Sequence, residues 1–422
     1  MTAITNRKRI LTSAMCAILL FSATLGFSGC AVSAKAADLM EGIVPDSVTG
    51  KPADDAFISS SADFAIKLFK QTAAADKSSM ISPLSVMLAL AMTANGASAQ
   101  TKAEMEATLS GVSLGDLNKY LYSYVNSLPS EEKYRLNIAN SIWFRDNQSM
   151  INVEKDFLQT NADYYGASAY KSPFNNQTVD DINAWVKRNT AEMIDSIIDS
   201  INADSVMYLI NALAFEAEWD KVYTKEDISD GSFTAFDGTK RSVKMMYSEE
   251  SKYIETSSAT GFIKNYKDGK YSFVALLPNE GINISDYISS LSGTDFLSAV
   301  KNAKDENVLA HMPKFSFDYT VEMNEALKAL GIKDAFDGGK ADFSKLGSSQ
   351  AGNIFIGNVL HKTFISVDEL GTKAGAVTKV EMSVECAPMG HEISLDRSFV
   401  YAIVDNTTGL PLFIGAVLDI AD

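Results

Sequence analysis

A chain of 422 residues, 46% hydrophobic and 21% charged, has the composition of a globular protein with enough apolar surface for a sizeable core. Its formal net charge of −16 excludes a nucleic-acid surface, because phosphate is held by Lys and Arg. Three cysteines (Cys16, Cys30, Cys386) and three scattered histidines (His311, His361, His391) exclude a disulfide framework and a local metal signature.

The first predicted element is a targeting segment, residues 1–29. Arg7, Lys8 and Arg9 form a basic start, and Ile10 to Phe27 is an apolar run broken only by small polar residues. It ends in "FSGC" at residues 27–30. A Cys after small residues at the end of such a run is similar to the lipobox of bacterial lipoproteins, although Phe27 stands where Leu is usual. On that resemblance Cys30 carries lipid, and acyl chains rather than a spanning helix hold an exported protein at the cell surface. Plain secretion or a retained membrane anchor is the alternative. Residues 30–57, rich in Ala, Ser, Asp and Pro without periodicity, read as a lipidated tether. Residues 58–422 show no repeat and no shift in composition, so they read as a single domain.

That domain opens with helices. "SADFAIKLFKQT" has apolar residues at helical spacing. In "SPLSVMLALAMTANGA", Ser82 is placed to cap a helix, Pro83 suits its first turn and Gly96 its end. This helix is apolar nearly all round and is expected in the core. "VDDINAWVKRNTAEMIDSIID" reads as one further helix.

Strands follow. "VMYLINALAFEAEW" is too continuously apolar to be an edge strand and reads as a central one. "YSFVALLP" and "HKTFISVDE" are others, and "SFVYAIVDNTTGLPLFIGAVLD" reads as a hairpin turning at Asn406 to Gly409. Helices mainly first and strands mainly later indicate an α+β fold.

Between the last two of these lies "GTKAGAVTKVEMSVECAP", Gly371 to Pro388. It starts small and permissive, yet from Thr372 every second residue is small or apolar: Ala374, Ala376, Thr378, Val380, Met382 and Val384. The residues between are mostly charged or polar. Strict alternation of this length marks a strand with one buried face. No enzyme motif competes with it: the chain has no HExxH, no paired CxxC and no phosphate-cradling Gly-rich loop. A hydrolase built on Cys386 and His391 rests only on two residues five apart. The expectation is a protein that is not an enzyme and uses no cofactor or metal.

Taken in order, these stretches resemble one family over nearly the whole domain, the serpins, inhibitors of serine and some cysteine proteases. "ISPLSVMLALAMTANGASAQTKAEM", "IANSIWFRD", "INAWVKRNTAEMI" and "LINALAFEAEWD" match its first half. "MPKFSFDYTVEMNEALKALGIKDAFDGGKADFSKL", "VLHKTFISVDELGTKAGAV" and the C-terminal hairpin match its second. The resemblance implies helices packed around three β-sheets, with a reactive-centre loop over about 370–393. It implies that a target protease cuts this loop and is trapped as a covalent acyl-enzyme when the loop inserts into the main sheet.

The alternation fits that double life. Gly371 supplies hinge freedom. Thr372, Ala374, Ala376 and Thr378 slip between strands, and Val380, Met382 and Val384 add apolar burial. Seven such side chains at ~1 kcal/mol each give on the order of 7 kcal/mol.

By matching motif, the cut falls fourteen residues after Gly371, between Glu385 and Cys386, with Met382, Val384, Cys386 and Ala387 as other registers. Glu385 itself suits a Glu-directed protease, whereas the neighbouring Val, Met, Cys and Ala suit an elastase-like target, the preferred reading. The resemblance further implies a shutter, where the sheet parts, at Ser82, Ser85, Asn211 and His361. It implies a breach, where the loop enters, at Trp219, and the end of the parent strand at Glu369. A monomer and a non-inhibitory serpin-fold protein complete the expectations, the second as the rival reading.

Overall fold

A computed structural model describes residues 36–131, 133–145, 151–202, 205–350, 352–372 and 390–420. All of them belong to one compact unit. Elements are numbered here in chain order.

The widest sheet has seven strands in the order β1 (Ala37–Asp38), β5 (Ser168–Ser172), β3 (Tyr134–Arg145), β6 (Met207–Glu218), β16 (Gly371–Thr372), β15 (Asn358–Val367) and β13 (Phe315–Glu322). A six-stranded sheet runs β2 (Ser79–Ile81), β19 (Pro411–Val417), β18 (Phe399–Asp405), β11 (Tyr271–Pro278), β10 (Ala259–Asn265) and β9 (Tyr253–Glu255). Four strands, β17 (His391–Ser394), β12 (Val308–Pro313), β8 (Lys240–Glu250) and β7 (Ile228–Thr234), make a third. β14 (Gly347–Ser349) and β4 (Ile151–Val153) form a small ribbon.

Nine α-helices lie among the described residues: α1 (Asp55–Thr72), α2 (Pro83–Ala94), α3 (Ala99–Leu109), α4 (Leu114–Ser127), α5 (Lys155–Tyr165), α6 (Asn176–Asn189), α7 (Ile284–Ser290), α8 (Gly293–Lys301) and α9 (Asn324–Leu330). The α+β architecture with three main sheets is therefore the one expected.

β6 is central because both its faces are covered. Met207, Leu209, Leu213, Phe215 and Ala217 belong to the main core, whereas Tyr208, Ile210 and Ala212 join a second core with Ile182, Trp185 and Val186 of α6. A strand buried on both sides has no polar face to write, hence its continuous apolar run. α2 is buried along its whole length, against β3 and β6 on one side and β19 on the other. Ser82 caps it, accepting the Ser85 N–H, with Pro83 at its first position.

Two expectations are corrected. The long helix anticipated through Asp199 ends at Asn189, and the chain turns immediately, with Ala191 and Glu192 in the left-handed region (φ 50° and 61°). Part of the segment read as a tether, residues 36–54, lies against the fold. β1 pairs with the edge strand β5, the Leu39 N–H donates to the Ala169 carbonyl (2.9 Å), and Leu39, Met40 and Ile43 pack on the core. Farther along, the Asp46 N–H donates to Asp163 Oδ1 (2.7 Å), the Lys51 N–H donates to the Lys119 carbonyl (3.0 Å), and Asp54 caps α1. An aperiodic sequence can still be ordered when its backbone finds partners on another element.

Candidate functional site

The site grows from a tight turn in the sequence "VDELGT". Asp368 Oδ1 accepts the N–H groups of Leu370 (2.8 Å) and Gly371 (3.2 Å), and the Asp368 N–H donates to the Gly371 carbonyl (3.0 Å). An Asp that bonds the backbone two and three residues on is a turn former, so the chain leaves β15 and reverses at once. Burial pushes the Asp368 carboxyl above its ordinary range, against the pull of those N–H groups. Asp368 went unnoticed in the sequence, although Asp two residues before Leu-Gly is the signal for such a turn.

The reversal places Gly371 and Thr372 between β6 and β15. The two strands pair directly, in parallel, only from Tyr208–Leu213 against Asn358–Thr363. Higher up, Gly371 faces Glu218, while Thr372 faces Ala217 on one side and Val367 on the other, antiparallel to both strands. The top of the sheet is thus already parted, with the first two residues of the alternating stretch seated in it.

The glycine has a steric reason in addition to the hinge freedom expected. A Cβ at Gly371 would lie 2.0 Å from the Ala217 carbonyl oxygen, so only glycine lets the strands close. Thr372 is 2% exposed, and its hydroxyl meets the Tyr266 hydroxyl at 2.5 Å.

Trp219, at the end of β6, holds this turn. Its N–H donates to the Leu370 carbonyl (2.8 Å) and its indole Nε1–H to the Asp368 carbonyl (2.8 Å). The ring lies flat on Tyr266, with centroids 4.4 Å apart and planes at 9°. The Tyr223 N–H donates to the Glu369 carbonyl (2.9 Å). Glu369 itself lies past the end of β15 and pairs with Lys314, which holds its carboxyl below the ordinary range.

Lower down, the four residues named for the parting of the sheet meet. His361 and Asn211 stand opposite each other in the β6–β15 pair, and Asn211 stands opposite Asn140 on β3. The Ser82 N–H donates to His361 Nε2 (2.9 Å), so the ring proton sits on Nδ1, which bonds Asn211 Oδ1. Asn211 Nδ2 in turn donates to Ser85 Oγ (2.6 Å), the Ser85 carbonyl and Asn140 Oδ1. Burial drives the His361 pKa down to about 3, so the ring is neutral. Asn140 is the member that sequence reading missed. Its signal, a polar residue within the strand "IANSIWF", carries no mark of what it faces.

A polar cluster in a core costs about 1–3 kcal/mol for each group left unpaired. Here the partners stand on α2, β3, β6 and β15, so the cluster bridges β6 and β15 below the point where Gly371 and Thr372 part them.

Against the expected absence of a hydrolase GxSxG elbow, Gly111-Val112-Ser113-Leu114-Gly115 does have that spacing. Ser113 instead caps α4 by accepting the Asp116 N–H (3.3 Å), is exposed, and follows a helix rather than a strand. Outside the described residues lie Cys30 and the inserting positions Ala374, Ala376, Thr378, Val380, Met382 and Val384. The bond Glu385–Cys386 lies outside them as well.

Comparison with known proteins matches this geometry. The family model described as "Serpin (serine protease inhibitor)" fits residues 59–420. The native-state crystal structure of a thermophilic serpin, tengpin, is 52% identical, with TM-score 0.89 over 91% of this chain and 100% of that one. Against the latent state of tengpin the TM-score is 0.79, over 88% and 100%. Leukocyte elastase inhibitor A of Rattus norvegicus is 28% identical over 84% of this chain and 97% of its own. Human thyroxine-binding globulin, solved in complex with its ligand, is 25% identical with TM-score 0.78, covering 87% of this chain and 100% of that one.

Proposed function

From the premise that the chain belongs to the serpin family, we propose that it is an irreversible suicide-substrate inhibitor of an elastase-like serine protease, exported and held at the cell surface through lipid on Cys30. The protease serine attacks the carbonyl carbon of Glu385. Its oxygen forms an ester there, the Glu385–Cys386 amide bond breaks, and the new amine of Cys386 takes a proton and leaves on the C-terminal side. Deacylation by water is the step to be outrun. The freed end, continuing from Thr372, zips between β6 and β15, carries the tethered enzyme with it and distorts its catalytic site.

The observation that supports this reading most is the position of Gly371 and Thr372. They are already in strand register, so insertion extends an existing pairing and needs no new nucleus. New main-chain bonds of roughly 0.5–1.5 kcal/mol each add to the apolar burial. The elastase-like preference rests on the small apolar residues flanking the bond and on the likeness to the leukocyte inhibitor. The likeness to thyroxine-binding globulin supports a second reading, a serpin fold used for carrying a ligand.

Incubation with pancreatic elastase, followed by denaturing gels and mass spectrometry, separates the two. Inhibition gives a covalent complex stable to denaturation and a released peptide beginning at or near Cys386. Cleavage with fully active protease and no complex would overturn the inhibitory reading for this target class.

A further inference from the structure

Beside the hinge lies a buried charge that the insertion scheme leaves unused. In "TGFIKNY" the strand alternation of β10 points Phe262, Lys264 and Tyr266 inward, and Lys264 is 2% exposed at a core position. A lysine there has to be paired. Its Nζ lies 2.8 Å from Glu250 Oε1 of β8 and donates to the Lys221 carbonyl (3.3 Å). The ammonium also sits 4.4 Å from the ring centre of Tyr223 and 5.4 Å from that of Trp219. Glu250 accepts in turn from Ser248 Oγ (2.7 Å), which meets the Tyr223 hydroxyl at 3.2 Å. Burial works to lower the Lys264 pKa, but Tyr223 and Glu250 outweigh it and keep the amine charged.

Apart from Glu250, the side-chain hydrogen bond and ring contacts of the Lys264 ammonium lie on residues 219–223. That short segment carries the three groups that grip the turn, the N–H and indole of Trp219 and the N–H of Tyr223. Stability alone is a poor reason for such a pair, because replacing both partners of a buried ion pair by apolar residues is often neutral or stabilising. A buried pair does supply a fixed direction. We propose that Lys264 is a positioning residue for loop insertion: it locks the 219–223 segment, which in turn keeps the Asp368–Gly371 turn in the register from which insertion proceeds. This rests on the insertion reading above. Without Lys264 the turn loosens, insertion slows, and water reaches more of the acyl-enzyme first.

Four variants of the full chain, Lys264→Met, Lys264→Arg, Glu250→Leu and the double Lys264→Met/Glu250→Leu, are compared with the parent in two ways. The first is amide hydrogen exchange of the 219–223 peptide, which needs no protease. The expectation is faster exchange in Lys264→Met, by about tenfold or more, as for loss of a charge-assisted contact. The second is the moles of protein consumed per mole of pancreatic elastase inhibited, expected to rise several-fold in Lys264→Met and to recover partly in Lys264→Arg. The double variant is expected to regain the thermal midpoint of the parent without regaining its stoichiometry, which a merely structural lysine would not do. Parent-like exchange in Lys264→Met, or recovery of midpoint and stoichiometry together in the double variant, overturns the proposal. If the parent itself forms no complex with pancreatic elastase, the inhibitory reading fails for that target class, while the exchange result still decides whether Lys264 fixes the segment.

Discussion

At the scale of residues, chemistry is set by what each side chain is denied. His361 is denied water, and the folded state holds it neutral, with a pKa of about 3 against an ordinary 6.5. Between those values the unfolded chain takes up a proton that the folded chain refuses. The stability due to this group is therefore complete above about pH 6.5 and is lost as pH falls toward 3, at ~1.4 kcal/mol per unit. Urea unfolding of the parent and of His361→Gln at pH 7.5 and 5.0 checks this. The parent is expected to lose ~2 kcal/mol more than the variant across that interval, and equal losses would remove His361 as the sensitive group. Residue types were legible where a single strand or cap dictates them, as for Ser82 at its helix start. Lys264 and Gly371 were not, since each owes its role to atoms brought close by other elements: Glu250, Trp219 and Tyr223 for the lysine, the Ala217 carbonyl for the glycine.

At the scale of elements, burial on two faces made β6 readable and a left-handed turn hid the end of α6. Periodicity continues through Ile194, Ile197 and Ile198, which are buried in the second core, but their backbone is not helical. An apolar pattern reports which side chains go inward, and two kinds of backbone can deliver them. β16 poses the opposite problem: two residues are too few to be read as a strand, yet they decide how the sheet opens. Thr372→Arg puts a cation between β6 and β15 where the hydroxyl now meets Tyr266. An unpaired charge at a 2% exposed position is too costly to keep. The variant is expected to leave the gap and to be cleaved by elastase as a plain substrate, scored on a denaturing gel. Undiminished complex formation would show that insertion does not pass through this position.

At the scale of the molecule, three sheets meet at the hinge: β6 and β15 of the widest, β10 of the second and β8 of the third all contribute groups within reach of Trp219 and its neighbours. The fold class was legible because many short motifs occur in one order. The junction was not, because it is written in pairs far apart in the chain. Residues 36–54 were misjudged for the same reason, their partners lying far along the chain on α4, α5 and β5. The central claim is that the stretch after Thr372 completes the sheet once it is cut. Thermal unfolding before and after limited cleavage of the loop tests it most directly. Thr372 is buried already, so six side chains remain to be buried; at roughly 2–4 °C per kcal/mol, that burial, worth ~6 kcal/mol, should raise the midpoint by about 12 °C or more. An unchanged or lower midpoint after cleavage would mean that the loop stays outside the sheet, and the trapping mechanism would fall with it.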